Sequence, residues 1–164
     1  MKIILIILSI IALLVIIVII IGYFLPVKHT VTVSADVMAP KNEVWNVVFD
    51  VSKYSQWRSD VKQVEVSSTS QSWTEYDNNN ETLSFEIVEA EEGKLLVTRI
   101  LDKDKPFGGG WTITLQDSGN NTIVTITESG EVYNPIFRFV SKFIIGHTAT
   151  ASRYLADLKG ELEK

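Results

Sequence analysis

Three ionisable side chains fall in phase with the more apolar face of strand-like runs: Glu75 within Gln71–Asp77, Arg99 within Leu95–Leu101 and Glu128 within Thr122–Val132. A charge on a face that packs inward must be paired or put to use, because an unpartnered buried charge is costly. Two carboxylates and a guanidinium suit two tasks, orienting the polar head of a ligand or holding one glutamate for acid–base work. The plain alternative is that Arg99 merely pairs with a glutamate near the open end of the sheet. Beside these charges the same face carries Trp73 and Trp111, the two of four tryptophans placed for ligand contact. His147 falls on the inner stripe of a C-terminal helical run, where a lone histidine reads as a hydrogen-bonded cavity wall and not as a general base.

Other chemistries lack their residues. With no cysteine and only two histidines, metal-ligand spacing and thiolate nucleophiles are excluded, so no metal and no cofactor is expected. His29 reads as a surface residue, and Asp102-Lys103-Asp104 lacks the rest of a calcium loop. No G-x-S-x-G or H-E-x-x-H motif occurs, and no catalytic residue is assigned. In Phe107-Gly108-Gly109-Gly110 the Lys-Ser/Thr of a phosphate-binding loop is missing. The expectation there is a loop bending over a cavity mouth, with Phe107, Gly108 and Gly109 at the rim.

The elements that must position these residues are legible from periodicity. His29–Val37 alternates as a first strand, and a helix follows from Pro40 with Val44, Trp45, Val47, Val48 and Val51 inward and Glu43 in its first turn. A short helical turn through Lys53–Trp57 comes next. Six further strand-like runs follow: Val61–Ser68, Gln71–Asp77, Thr82–Ala90, Leu95–Leu101, Trp111–Gln116 and Thr122–Val132. Short Asn-, Gly- and Glu-rich turns separate several of them, which implies an antiparallel meander. On the inner face the alternation puts Trp73 and Glu75; Leu83, Phe85 and Ile87; Leu95, Val97, Arg99 and Leu101; Trp111, Ile113 and Leu115; Val124, Ile126 and Glu128. Asn134–Lys164 reads as one long helix, capped by Asn134 with Pro135 at its first position. Its middle, Gly146–Ser152, is too small to fill the space beneath it, a first hint of a cavity.

This order, with Ala39-Pro40-Lys41-Asn42-Glu43-Val44-Trp45, Asp50 through Tyr54 to Trp57, Pro106–Thr112, Thr125–Glu128 and Asn134–Arg138, resembles the START-like, helix-grip or SRPBCC superfamily. Within it the chain is similar to the polyketide cyclase/dehydrase and lipid-transport family over about His29–Glu163. The resemblance implies an α+β fold: a curved seven-stranded antiparallel sheet wrapped around a long C-terminal helix, two short helices after the first strand, and a ligand cavity between sheet and helix. Members range from lipid carriers to cyclases. The expected ligand is therefore small and hydrophobic or lipid-like, with a cyclase- or dehydratase-like enzyme using Glu75 or Glu128 with Arg99, or a cavity-poor interaction or stress-response module, as the alternatives.

Ahead of this domain, expected at residues 28–164, Ile3–Leu25 is an uncharged run of 23 residues. As a helix it is roughly 34 Å long at about 1.5 Å per residue, more than the ~30 Å of a bilayer's hydrocarbon core. It exceeds a signal peptide's apolar stretch and lacks a small-x-small cleavage site, so residues 1–27 are expected to be a single-pass membrane anchor. Lysines flank it on both sides; the short N-terminus favours the cytoplasm, with the domain on the outer side. From Pro26 onward the chain has 14 basic and 20 acidic residues, a net of −6. Such a domain is a poor partner for nucleic acid and should not lie flat on an anionic leaflet.

Overall fold

The computed structural model describes residues 2–69 and 71–164. An apolar helix α1 (Lys2–Phe24) leads into β1 (Lys28–Val37), followed by α2 (Lys41–Phe49), a 3-10 turn and α3 (Tyr54–Trp57). Six strands follow: β2 (Gln63–Val66), β3 (Ser72–Tyr76), β4 (Thr82–Glu91), β5 (Leu95–Ile100), β6 (Phe107–Ser118) and β7 (Asn121–Val132). The chain ends with α4 (Pro135–Val140), one turn of π-helix over Ser141–Ile145, and α5 (Ala149–Leu162). The strands form one antiparallel sheet in the order β1-β7-β6-β5-β4-β3-β2, so consecutive hairpins run from β2 to β7 and β1 closes on β7. This is the α+β helix-grip arrangement that the resemblance implied. α1 is long and apolar enough to cross a membrane, a property shared by anchors and signal sequences.

Alternation along the strands builds the interior. Val124 and Ile126 of β7, Ile113 and Leu115 of β6, and Leu96 of β5 point to the same side. There they meet Val44, Trp45 and Val48 of α2 and Ala151, Leu155 and Leu158 of α5 in one buried cluster. Both helices use residues three or four apart, one face each, which is why neither needs to be apolar all round.

The C-terminal run departs from the expected single helix. Asn134 does cap it, its Oδ1 accepting from the Ile136 and Phe137 amides at 2.9 and 3.3 Å, with Pro135 at the first position. At Gly146, however, φ is +82°, a left-handed conformation that ends the π-turn and resets the chain before α5. The helix gripped by the sheet is thus α5 alone, while α4 packs against α1. Room beneath this region comes from the break and the divergence of the two segments, more than from small side chains along one continuous helix.

The α1–α4 joint is closely fitted. Val18 and Gly22 on one face of α1, and Leu25 just past its end, are shielded, whereas the rest of the described α1 side chains are exposed. A Cβ on Gly22 would overlap the Pro135 carbonyl, so glycine is what lets the two backbones approach. The buried Arg138 then donates to the carbonyls of Leu25 at 2.6 Å and Tyr23 at 3.4 Å, where α1 has run out of amide partners.

Candidate functional site

Between sheet, α5 and the α4 segment lies a cavity of about 660 Å³, within the size range of small-molecule sites. Much of its wall is apolar, including Leu83 and Phe85 of β4, Ile100 of β5, Trp111 and Ile113 of β6, and Val140 after the sheet. Two polar clusters interrupt that wall.

The deeper one is built around Arg58, which follows α3 directly. Its Nη1 donates to Glu75 Oε1 at 2.9 Å, while Nε and Nη2 grip both oxygens of Asp60 at 3.2 and 3.1 Å. Its guanidinium carbon lies 5.0 and 5.3 Å from the ring centres of Tyr54 and Tyr154. Trp73 Nε1 donates to the same Glu75 oxygen at 2.9 Å. Glu75 and Arg58 are both nearly closed off from water, their side chains 9% and 8% exposed. Burial pushes the Glu75 carboxyl above the ordinary range, and Arg58 and the Trp73 indole offset that only in part. Burial works against the Arg58 charge too, but Glu75 and Asp60 outweigh it and hold the guanidinium firmly protonated. Burial also drives the Tyr54 hydroxyl up to about 12 and Tyr154 well above its usual value, so both remain phenols, with Tyr54 donating to the Val48 carbonyl at 2.7 Å.

The second cluster lies where β1 and β7 begin and end, beside the chain break at Gly146. Trp111 Nε1 donates to Glu128 Oε2 at 2.9 Å, and His29 Nε2 lies 3.3 Å from Glu128 Oε1. The His29 ring stacks on His147 with centres 3.9 Å apart, and His147 Nδ1 is 3.0 Å from Ser141 Oγ. Burial, then the neighbouring His29, lowers the His147 pKa. This is a partly open acid–imidazole pair that can exchange hydrogen bonds with a ligand's carboxyl, hydroxyl or amide.

Of the residues singled out from sequence, Trp73, Glu75, Trp111, Glu128 and His147 all line the cavity, as do Phe107 and Gly108. Arg99 does not. Its side chain is 63% exposed on the opposite face of the sheet and pairs there with Glu86, Nε to Oε1 at 2.8 Å, a surface ion pair away from the face expected for it. The inner face of β5 is offset by one residue from the expected one: Leu96, Thr98 and Ile100 pair across from Ile113, Trp111 and Phe85 and so face inward. Both faces of Leu95–Leu101 carry apolar residues, and a register shift in β4 between Ile87 and Glu89 adds no outward sign in the sequence. The expected glycine loop is likewise corrected, since residues 107–110 open β6 and pair with β7 over Ser129–Val132; Gly108 and Gly110 line the cavity but Gly109 does not. Glycines in that strand leave its inner side without side chains, which keeps this part of the wall thin. His29, expected on the surface, is half-buried in the second cluster. Arg58 and Asp60 escape sequence reasoning; their one signal is a lone Arg–x–Asp immediately after Trp57, next to the stretch that carries the family resemblance. Among the described residues no group of three His, Cys, Asp or Glu side chains could hold a metal ion.

The sequence profile of the family described as polyketide cyclase / dehydrase and lipid transport matches residues 28–163. The chain belongs to that family. No curated protein matches it. Among solved structures this family member resembles a START superfamily protein from Mycobacterium smegmatis, at 15% identity and a TM-score of 0.66 over 82% of this chain and 97% of the other. It also resembles the Zhui aromatase/cyclase from Streptomyces sp. R1128, at 14% identity and a TM-score of 0.69 over 83% and 94% of the two chains. A third likeness is to an uncharacterised protein from Bacillus thuringiensis, at 11% identity and 0.69 over 83% and 100%. At such identities the likeness speaks for the fold alone, the helix-grip arrangement of one antiparallel sheet around α5.

Proposed function

We propose that the protein is a membrane-anchored binding domain for a small hydrophobic or lipid-like molecule with a polar head. The observation that carries this reading is the 660 Å³ cavity, apolar over most of its wall and interrupted by the Arg58–Glu75 and Glu128–His clusters. Apolar wall favours a hydrocarbon body, and a few fixed donors and acceptors select the head. Three of the five Arg58 N–H groups already serve two carboxylates that neutralise its charge, so the ligand head is assigned to the more open Glu128, His29, His147 and Trp111 end. Transmembrane insertion of α1 would hold the domain at the bilayer, the source of such ligands, with the domain on the outer side.

The test uses the full chain in detergent, released for native mass spectrometry after incubation with total lipid extract. A bound species of defined mass is expected, and at about 100 times its dissociation constant that ligand should add about 2.7 kcal/mol of stability. Recovery of bare protein only, with no thermal shift from any lipid class, would sink the reading. Thr98→Phe, which places a ring in the hollow from the centre of β5, should abolish the adduct while the fold is retained. Orientation is read with Asn120→Cys in this cysteine-free chain: on intact cells an impermeant maleimide should label it, and failure to do so would place the domain inside.

A further inference from the structure

The cavity opens beside an exposed apolar ridge that its own ligand does not account for. Phe143, Ile144 and Ile145 of the π-turn are 57%, 71% and 63% exposed, and Phe137 in the preceding helix is 49% exposed. Phe137 and Ile145 also line the cavity, so the ridge is one lip of its mouth. Four such side chains in water on a single small segment are an unusual cost in a folded domain.

The position of the ridge says what covers it. α4 is bound to the C-terminal end of α1, and the shielded face of α1 reaches back from Leu25 through Gly22 to Val18. Seven residues of helix are roughly 10 Å of depth. The α1–α4 contact therefore extends about two turns into the apolar run, and α4 with its π-turn is held at that level and not out above it. The joint is set by the Gly22–Pro135 approach and by Arg138 on the last carbonyls of α1, which leaves little freedom for the segment to swing away. Charge agrees. From Val132 to Ala156 there is no acidic residue, while Lys142, Arg138 and Arg153 lie in that stretch of an otherwise acidic chain. Lys142 lies 5.7 Å from the Phe143 ring centre, its long stem able to carry its ammonium to a headgroup level.

We propose that Phe143, Ile144 and Ile145 insert into the lipid boundary of the leaflet beside the domain, so that the cavity mouth opens onto the bilayer and not onto bulk water. The occupant of the ridge is thus the membrane that α1 spans, and the ligand enters and leaves laterally. This rests on the anchored binding reading above. It also revises the expectation from net charge: the domain as a whole avoids an anionic leaflet, but this one segment of it does not.

Single cysteines carrying an environment-sensitive NBD dye decide it, in full-length protein reconstituted into phosphatidylcholine vesicles with and without doxyl-labelled lipid. Ile144→Cys is the probe. Val15→Cys within α1 reports the anchor, and Asn120→Cys reports the far end of the domain, roughly 36 Å away along β7 at about 3.3 Å per residue. The expected result is several-fold brighter, blue-shifted and doxyl-quenched emission at residues 15 and 144, with water-like emission at 120. Quenching at 15 with water-like emission at 144 would overturn this inference and leave the anchor intact. Water-like emission at both would overturn the two together. As a second readout, Phe143→Ser/Ile144→Ser, whose side chains are outside both the core and the cavity lining, should slow exchange of a fluorescent fatty acid between protein and vesicles at least several-fold without changing its affinity; unchanged exchange would count against the inference.

Discussion

Replacing Arg58 by alanine tests the central claim about the site, that the guanidinium belongs to Arg58 and not to Arg99. In the fold Arg58 joins Glu75 at 2.9 Å and Asp60 at 3.1 Å, with Arg58 and Glu75 side chains both under a tenth exposed. Its loss leaves Glu75 buried with only the Trp73 indole as a donor, and an uncompensated buried charge of this kind costs about 3–5 kcal/mol. The exposed Arg99–Glu86 pair is worth about 0–1 kcal/mol by contrast. Urea unfolding of the full chain in micelles, followed by tryptophan emission, resolves the two. At a slope of roughly 2 kcal/mol/M, Arg58→Ala should lower the midpoint by roughly 1.5–2.5 M, and Arg99→Ala by no more than about 0.5 M. Adding Glu75→Gln to Arg58→Ala should recover much of the loss, because the stranded charge is then gone. Equal, small shifts for the two arginine variants, or no recovery in the double variant, would refute the assignment.

Other outcomes follow from the same geometry. Burial and His29 hold the His147 pKa low in the fold, so the unfolded chain takes that proton more readily; stability is complete above the ordinary histidine pKa of about 6.5 and is lost as pH falls below it, although Glu128 opposes the trend. Melting temperatures measured from pH 7 to pH 5 should therefore fall less steeply in His147→Asn than in the unaltered protein, and parallel curves would count against it. Leu96→Ala, at a fully buried position of β5, should cost about 2–5 kcal/mol in the same urea assay, whereas Leu95→Ala should cost much less; reversal of the two would restore the face assigned from sequence. Arg138→Met removes the donors on the Leu25 and Tyr23 carbonyls, and electron–electron distances between spin labels at residues 15 and 120 should broaden markedly as α1 and α4 separate; an unchanged distribution would show that the joint does not depend on it.

Elements are legible in the sequence where two local signals agree. Asn134 and Pro135 mark a helix start by capping chemistry alone, and β3, β6 and β7 each have one clearly apolar face, so alternation by itself places Trp73, Glu75, Trp111 and Glu128. β5 has two apolar faces, and its orientation is decided by neighbours: Leu96 across from Ile113 and Thr98 across from Trp111. Periodicity within a strand carries no information about its partner's register. The family resemblance supplies the topology, but not the packing of α4 against α1.

By itself, then, the sequence determined the order of elements, the apolar span of α1, the absence of thiol chemistry and the presence of carboxylates and tryptophans on an inner face. All of these follow from residue type and spacing over a few turns or strands. Tertiary structure decided which arginine meets Glu75, that His29 leaves the surface to stack on His147, and that the terminal run breaks at Gly146 so that α4 leans on α1 and a hollow remains beside α5. Each of those outcomes joins residues from distant parts of the chain: Arg58 and Glu75 are 17 positions apart, His29 and Glu128 are 99, and Arg138 and Leu25 are 113. Their proximity is set by how whole elements pack, and short-range pattern cannot register it.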